Sequence, residues 1–321
     1  MRGTIARVMA GGAARLLGGA LLLAATASAR PFDEEFWKHW GDGQAEISTY
    51  DLTYPRYGEL RQGTAVTIFV TETFSQEARV KADSGVHSAA DEFPVMKLNL
   101  VQDFPTGIYD YNLMTSSFVA LTSRLGRPAG AATKVSFSSQ EWCGHVWDQL
   151  LLDESSVRRT LHSYFDGEAD RQETLPYPNG GIAEDALFHW VRGLAAPFIS
   201  PGEAEDVKLL RSAERARMTH TPQEWETAKL RYSPTTKNVT VPAGKFEVET
   251  FTIEIGGRSG RTWTFEVEKT SPRRIVRWEA SDGRRAELVA STRTPYWTMN
   301  ADRFERALAT IGLKPRDPRT P

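Results

Sequence analysis

Glu141-Trp142-Cys143-Gly144-His145-Val146-Trp147 is the densest run in the sequence whose residue types could do chemistry. On a β-strand, where side chains alternate between faces, Glu141, Cys143, His145 and Trp147 would share one side. A cysteine hydrolase needs its thiolate within about 2.6–3.2 Å of a base. Residues two apart on a strand sit about 6.8 Å apart. Cys143 and His145 would therefore have to lean together, and His162, on the next expected strand, is the easier base. The competing reading is a Cys packed in the core beside a half-buried His, since free Cys is among the most buried residue types. If the strands at 143–151 and 157–165 pair as a hairpin, Cys143, His145 and His162 could also supply three zinc ligands. Nothing in the spacing requires it: the six histidines are scattered, with no HxxxH or CxxC pair, and no metal is expected.

Other chemistries lack their signatures. No GxSxG, GxGxxG or P-loop string occurs, so neither a serine nucleophile nor a nucleotide cofactor is expected. The acidic clusters Asp33-Glu34-Glu35, Asp153-Glu154 and Glu203, Glu205, Asp206 read as solvated faces and loops. What remains is the aromatic load. Many of the aromatics fall at expected strand positions, and Tyr109, Tyr111, Trp142, Trp147 and Trp263 could line an apolar concavity that binds a ligand; packing of a large sheet core is the competing role.

These residues need elements to hold them. From about 45 to 165 the pattern has period two: Val66, Ile68 and Val70 alternate with Thr67, Phe69 and Thr71, and Met96, Leu98 and Leu100 alternate with Lys97 and Asn99. Such alternation between turn residues predicts half-buried antiparallel strands, at about 45–53, 60–73, 95–103, 108–121, 133–140, 143–151 and 157–165. A second meander is expected from Val239 to Ala290. There the apolar phase slips between Val248 and Phe251, which predicts a β-bulge near Glu249-Thr250. Between the two, Ala186, Leu187, Trp190, Val191 and Leu194 share a helical face. Residues 203–232 stay open between helix and strand, because Thr221-Pro222-Gln223-Glu224 matches a capping box while Trp225 to Tyr232 also alternates. Phe32, Phe36, Trp37 and Trp40 predict a short amphipathic segment that docks on the body, and Phe304, Ala307, Leu308 and Ile311 a final helix before a frayed tail.

The first 29 residues carry Arg2, Arg7 and Arg15 with no acid, then an apolar run, then Ala27-Ser28-Ala29. That order reads as a secretory signal peptide, with an apolar run too short for the roughly 20 residues that span a bilayer. Its removal takes the formal charge from −2 to −5. Charges are interleaved and basic doublets isolated, which argues against nucleic acid. With Cys143 as the only cysteine, an exported chain has no internal disulfide and must rest on a real core.

Val241-Pro242-Ala243-Gly244-Lys245-Phe246-Glu247, with Trp263-Thr264-Phe265 and Pro272-Arg273-Arg274-Ile275-Val276-Arg277-Trp278, resembles the closing meander of uncharacterised exported bacterial proteins built as open, curved β-sheets. The resemblance implies that fold and no assigned activity. At the level of architecture the chain is similar to periplasmic lipoprotein-carrier half-barrels, whose concave side holds acyl chains. Ser271-Pro272-Arg273-Arg274 also resembles the SPRR element of the Maf-type nucleotide pyrophosphatases known as septum formation inhibitors. In that family the element follows the first strand of a cytoplasmic α/β protein; here it lies between meander strands and reads as a turn.

The expected chain is therefore mainly β: a large antiparallel curved sheet or incomplete barrel of about 11 strands with a helical insertion and short terminal helices. The expected divisions are a signal peptide (1–29), an amphipathic segment (30–43), one β domain (44–292, helix-containing insertion at about 176–232) and a C-terminal helix and tail (293–321). The function expected is non-enzymatic, periplasmic or secreted, binding a hydrophobic envelope component or a partner protein, with no transmembrane segment after signal cleavage. A cysteine hydrolase using Cys143 is the alternative.

Overall fold

Alternation becomes pairing along the first half of the chain. In the computed structural model, which describes residues 32–124, 126–256 and 260–314, β1 (Ala45–Arg56), β2 (Glu59–Ser75), β3 (Glu92–Thr106), β4 (Tyr109–Ala120), β5 (Ala132–Glu141), β6 (Gly144–Leu152), β7 (Ser156–Ser163) and β8 (Arg171–Pro176) form successive antiparallel hairpins. Ala65 and Phe69 on β2, and Met96, Leu98, Leu100 and Phe104 on β3, point to one buried face, as a period of two requires. The expected signal peptide, residues 257–259 and the end of the tail lie outside the described residues.

The second half continues the same sheet. β9 (Gly181–Ala183), β10 (Ala204–Leu210), β11 (Trp225–Tyr232), β12 (Lys237–Val241), β13 (Gly244–Ile255), β14 (Arg261–Glu268), β15 (Ile275–Ala280) and β16 (Arg285–Thr294) complete 16 strands. β16 pairs with β1, so the order runs from β8 through β1 and β16 to β9, with β12 attached to β13. The sheet is curved and does not close. It is mixed rather than wholly antiparallel, because β9 runs parallel to β10. It also exceeds the expected strand count, since 204–210 and 225–232 are strands and 171–176, 181–183 and 237–241 add short ones.

Residues 203–232 contain both alternatives. Helix α3 (Ala213–Thr219) is capped by the Ser212 hydroxyl on the Arg215 amide and ends at His220 in the left-handed region, whereas the Thr221–Glu224 string leads into β11 and starts no helix. The expected bulge lies one strand over. β13 pairs with β14 in unbroken register, and the irregularity falls at Glu266/Val267, between β14 and β15. The slip on β13 comes where the strand changes partner from β12 to β11. The final helix is a 3-10 helix, Asp302–Ile311, with Phe304, Ala307, Leu308 and Ile311 half-buried and the rest exposed.

The concave face is filled by the chain itself. A 3-10 turn (Glu184–Ala186) and a single α turn, α2 (Leu187–Trp190), replace the longer helix the periodicity suggests. Phe188 meets Phe265 and Trp278 edge-on, each at 5.1 Å between centroids, and Trp190 meets Phe251 at 5.5 Å. Burying an aromatic of this kind contributes about 1.5–3 kcal/mol. Arg192 locks the plug with a bidentate pair to Glu46 on β1 (2.7 and 3.0 Å) and with bonds to the Pro272 and Arg273 carbonyls. Those carbonyls belong to the Ser271-Pro272-Arg273-Arg274 turn, whose own arginines pair with Glu249 and Glu268. The amino-terminal helix α1 (Glu34–Trp40), capped by Asp33 on the Phe36 amide, lays Phe32 and Trp40 on the same core.

Candidate functional site

The two ends of the sheet face each other without hydrogen-bonding as strands. Val135, Leu150, Leu152 and Val157 from one end pack with Ala183, Ala186 and Leu210 from the other, and Leu175, Tyr177 and Trp225 cover the joint. At one end of this seam the loop before β5, the β6–β7 turn, the β8–β9 link and the tail of the plug meet around a pocket of about 520 Å³. Its wall is mostly small or apolar: Pro128, Gly130, Ala131, Ala132, Ile182 and Ala196 among others. Small side chains leave room that larger ones would fill, and the volume lies in the range of ligand pockets.

Arg127 and Tyr177 form one polar end of the pocket, whose lining also includes Glu154, Ser155, Asn179 and Glu205. Arg127 donates to the Tyr177 hydroxyl (2.8 Å) and to the Leu152 carbonyl (3.1 Å), and its guanidinium also lies 4.3 Å from the Tyr177 ring centroid. The Tyr177 hydroxyl donates onward to the Gly181 carbonyl at 2.7 Å, and burial raises its pKa, so it stays a neutral donor. Ala196 donates its amide to the Gly130 carbonyl (2.9 Å), fixing the plug to the pocket wall.

The residues expected to bind ligand do not gather there. Tyr111 and Trp263 are buried in the filled core: Tyr111 stacks on Phe104 (5.3 Å), and Trp263 stacks on Phe265 (5.7 Å) and donates to Glu184 (2.9 Å). Neither borders an open concavity, because the plug occupies it. Tyr109 and Trp142 stack on each other at 6.0 Å near the hairpin tips, and Trp147 lies on the outer face, stacked on His162 at 5.8 Å.

The cysteine cluster also rearranges. Glu141 pairs with Gly144, so Trp142 and Cys143 form the β5–β6 turn, and Cys143 is neither on a strand nor packed in the core but exposed. Glu141 accepts the Cys143 amide (2.7 Å), and its hydrogen bond and charge push the thiol pKa up, the opposite of nucleophile activation. His162 directs Nδ1 to Asp170 (2.8 Å), while His145 is exposed at the start of β6. β6 and β7 do pair as a hairpin, with Trp147 opposite His162. Among the described residues no group of three His, Cys, Asp or Glu is placed to hold a metal ion.

Two solved structures show some similarity to the chain. No protein-family model matches the chain, and no curated protein matches it. A β-barrel-like protein of the domain of unknown function DUF1849 from Brucella abortus superposes with a TM-score of 0.45 at 13% identity, covering 78% of this chain and 98% of that one. An exported-type protein of YmcC-like fold from Bacteroides fragilis gives a TM-score of 0.20 at 13% identity, covering 78% and 94%. Among the described residues no helix is long and apolar enough to cross a membrane.

Sequence reasoning missed the seam pocket because its wall is Ala, Gly and Pro in connecting segments. The available signal was the small-residue runs at 128–132 and 180–183, which read only as loops.

Proposed function

We propose that this chain is a non-enzymatic, exported binding protein that takes an apolar envelope component, a lipid or the acyl part of a lipoprotein, into the seam pocket. The observation that carries this reading is the roughly 520 Å³ pocket with an apolar, small-residue wall and a polar end at Arg127 and Tyr177. An acyl chain fits such a wall by dispersion and loss of hydrated surface, worth about 0.8 kcal/mol per buried methylene. A hydrogen-bond-accepting head would meet Arg127. Because the plug fills the concave face, the reading takes the gap between the sheet ends as the site.

Native mass spectrometry of protein taken from its own host is the test. Co-purifying lipid is expected on the unaltered chain and absent from Ala131→Phe, which fills the pocket. Lipid retained equally by both, or found on neither, overturns the reading.

A further inference from the structure

The hairpin tips at the end of the sheet that carries Trp142 hold a second surface with different chemistry. A ladder of stacked rings runs out of the core there: Tyr54 on Phe104 (4.3 Å, 13°), Phe104 on Tyr111 (5.3 Å, 3°), Tyr111 against Tyr109 (6.0 Å, 35°), and Tyr109 on Trp142 (6.0 Å, 29°). Tyr54, Phe104 and Tyr111 are buried, whereas Trp142 is 67% exposed. The terminal indole is thus held at its base and presented to solvent at little entropic cost on binding. The hydroxyl of Tyr111 bonds that of Tyr57 at 2.6 Å, and Arg56 lies 5.0 Å from the Tyr111 ring centroid, bracing the ladder from the side.

Beside Trp142 a groove of about 860 Å³ crosses the outer face of β2 to β6. Its floor is one cross-strand row, Thr64, Asp103, Asn112, Gln140 and His145, each the register partner of the next. Asn112 donates to Asp103 at 2.6 Å, so the row is partly oriented before anything binds. Gly63 also lines the groove, and a Cβ there would meet the Asp103 carbonyl oxygen at 2.2 Å and the Phe104 Cβ at 2.7 Å. The lining contains Asp103, Asp110 and Glu141 and no Lys or Arg.

We infer that this groove is a carbohydrate-binding site for a neutral oligosaccharide. A pyranose offers a flat face of C–H groups that packs on an exposed indole, and a rim of hydroxyls that both donate and accept. Carboxylate, carboxamide and imidazole groups are the planar partners such hydroxyls take up. An anionic ligand, phosphorylated or carboxylated, would meet three carboxyl groups in the lining, of which Glu141 is paired from behind by Arg217 (3.8 Å). The same charges oppose docking on an anionic lipid surface, although exposed Trp142 and Ile108 alone would suit an interface. The row spans five strands, about 19 Å at the usual strand spacing, so several sugar units can lie across it.

The experiment is calorimetric titration of the full chain with chitotetraose (the tetra-N-acetyl form), cellotetraose and maltotetraose, with phosphatidylcholine vesicles as a separate titrant. Binding of at least one tetrasaccharide is expected, weakened about tenfold or more by Trp142→Ala and by Asn112→Ala. Both side chains are exposed, and both variants should melt with the unaltered chain. Three results overturn the inference: no tetrasaccharide binds at millimolar concentration, binding survives Trp142→Ala, or only the vesicles titrate. None of these bears on the seam pocket, which Ala131→Phe tests independently.

Discussion

His189 on α2 is fully buried, with Nε2 against the Ser117 hydroxyl (3.0 Å) and carbonyl (3.3 Å) and its ring edge-on to Phe69. Among the described residues Nδ1 has no hydrogen-bond partner. Burial, reinforced by the nearby Arg192 charge, pushes the imidazole pKa down from 6.5 to about 3, so the ring is neutral in the folded chain. The unfolded chain binds a proton that the folded chain refuses. The resulting stability is fully present above about 6.5 and is lost progressively as pH falls toward about 3. The loss approaches 1.4 kcal/mol per pH unit in that window. His189→Phe keeps a ring against Phe69 and removes the titration, so urea unfolding at a series of pH values should give a shallower acid limb than the unaltered chain. Parallel limbs would show that the imidazole is not the group responsible. Asp185, whose pKa burial raises well above its usual value, opposes this trend but is common to both proteins and drops out of the difference.

At the scale of elements, the plug from Glu184 to Leu194 decides what the sheet can hold. Its anchor is the Arg192–Glu46 pair, with both side chains essentially inaccessible. Removing one partner leaves the other charged and buried, so Arg192→Ala should cost about 3–5 kcal/mol in chemical unfolding. Arg192→Met with Glu46→Leu should recover most of that loss, because replacing a whole buried pair by apolar groups is often neutral. Failure of the double variant to recover would mean that the bonds from Arg192 to the 272–273 turn carry the anchoring. The sequence makes the plug's apolar face legible through Leu187, Trp190, Val191 and Leu194. It hides the pair, because residues 146 apart show no pattern that joins them. Strands β1 to β7 are readable to within a few residues, since each buries one face and period two reports that directly. β8 and β9 are not, because six and three residues are too few for a period to show, and the alternation of β11 competes with a capping-box string just before it. The seam pocket is illegible for a related reason: its chemistry lies in the absence of side chains.

For the whole molecule, the open path of strands from β8 to β9 ends in two edges that barrel closure would have removed, with the five-residue β12 a short further edge on β13. One edge, β9, is three residues long and offers little backbone to a second chain. The other, β8, is six residues long, and Arg171 and Glu173 put charge along it before Pro176 ends it. Glu173 pairs with Arg159 at 3.1 Å, whereas Arg171 lies 3.7 Å from Glu173 and is largely exposed. Charges on an edge disfavour pairing with another edge because they would be buried in the new sheet. Arg171→Val removes one charge, supplies a strong strand former and leaves the Arg159–Glu173 pair in place. Its unfolding free energy should stay within about 0.5 kcal/mol of the unaltered protein, as for most surface changes. Its light scattering should rise with concentration where that of the unaltered chain stays flat. If the light scattering of Arg171→Val also stays flat over the same concentrations, the charge at that position is not what guards the edge, and the packing of Tyr177 and Trp225 over the seam must shield β8 instead.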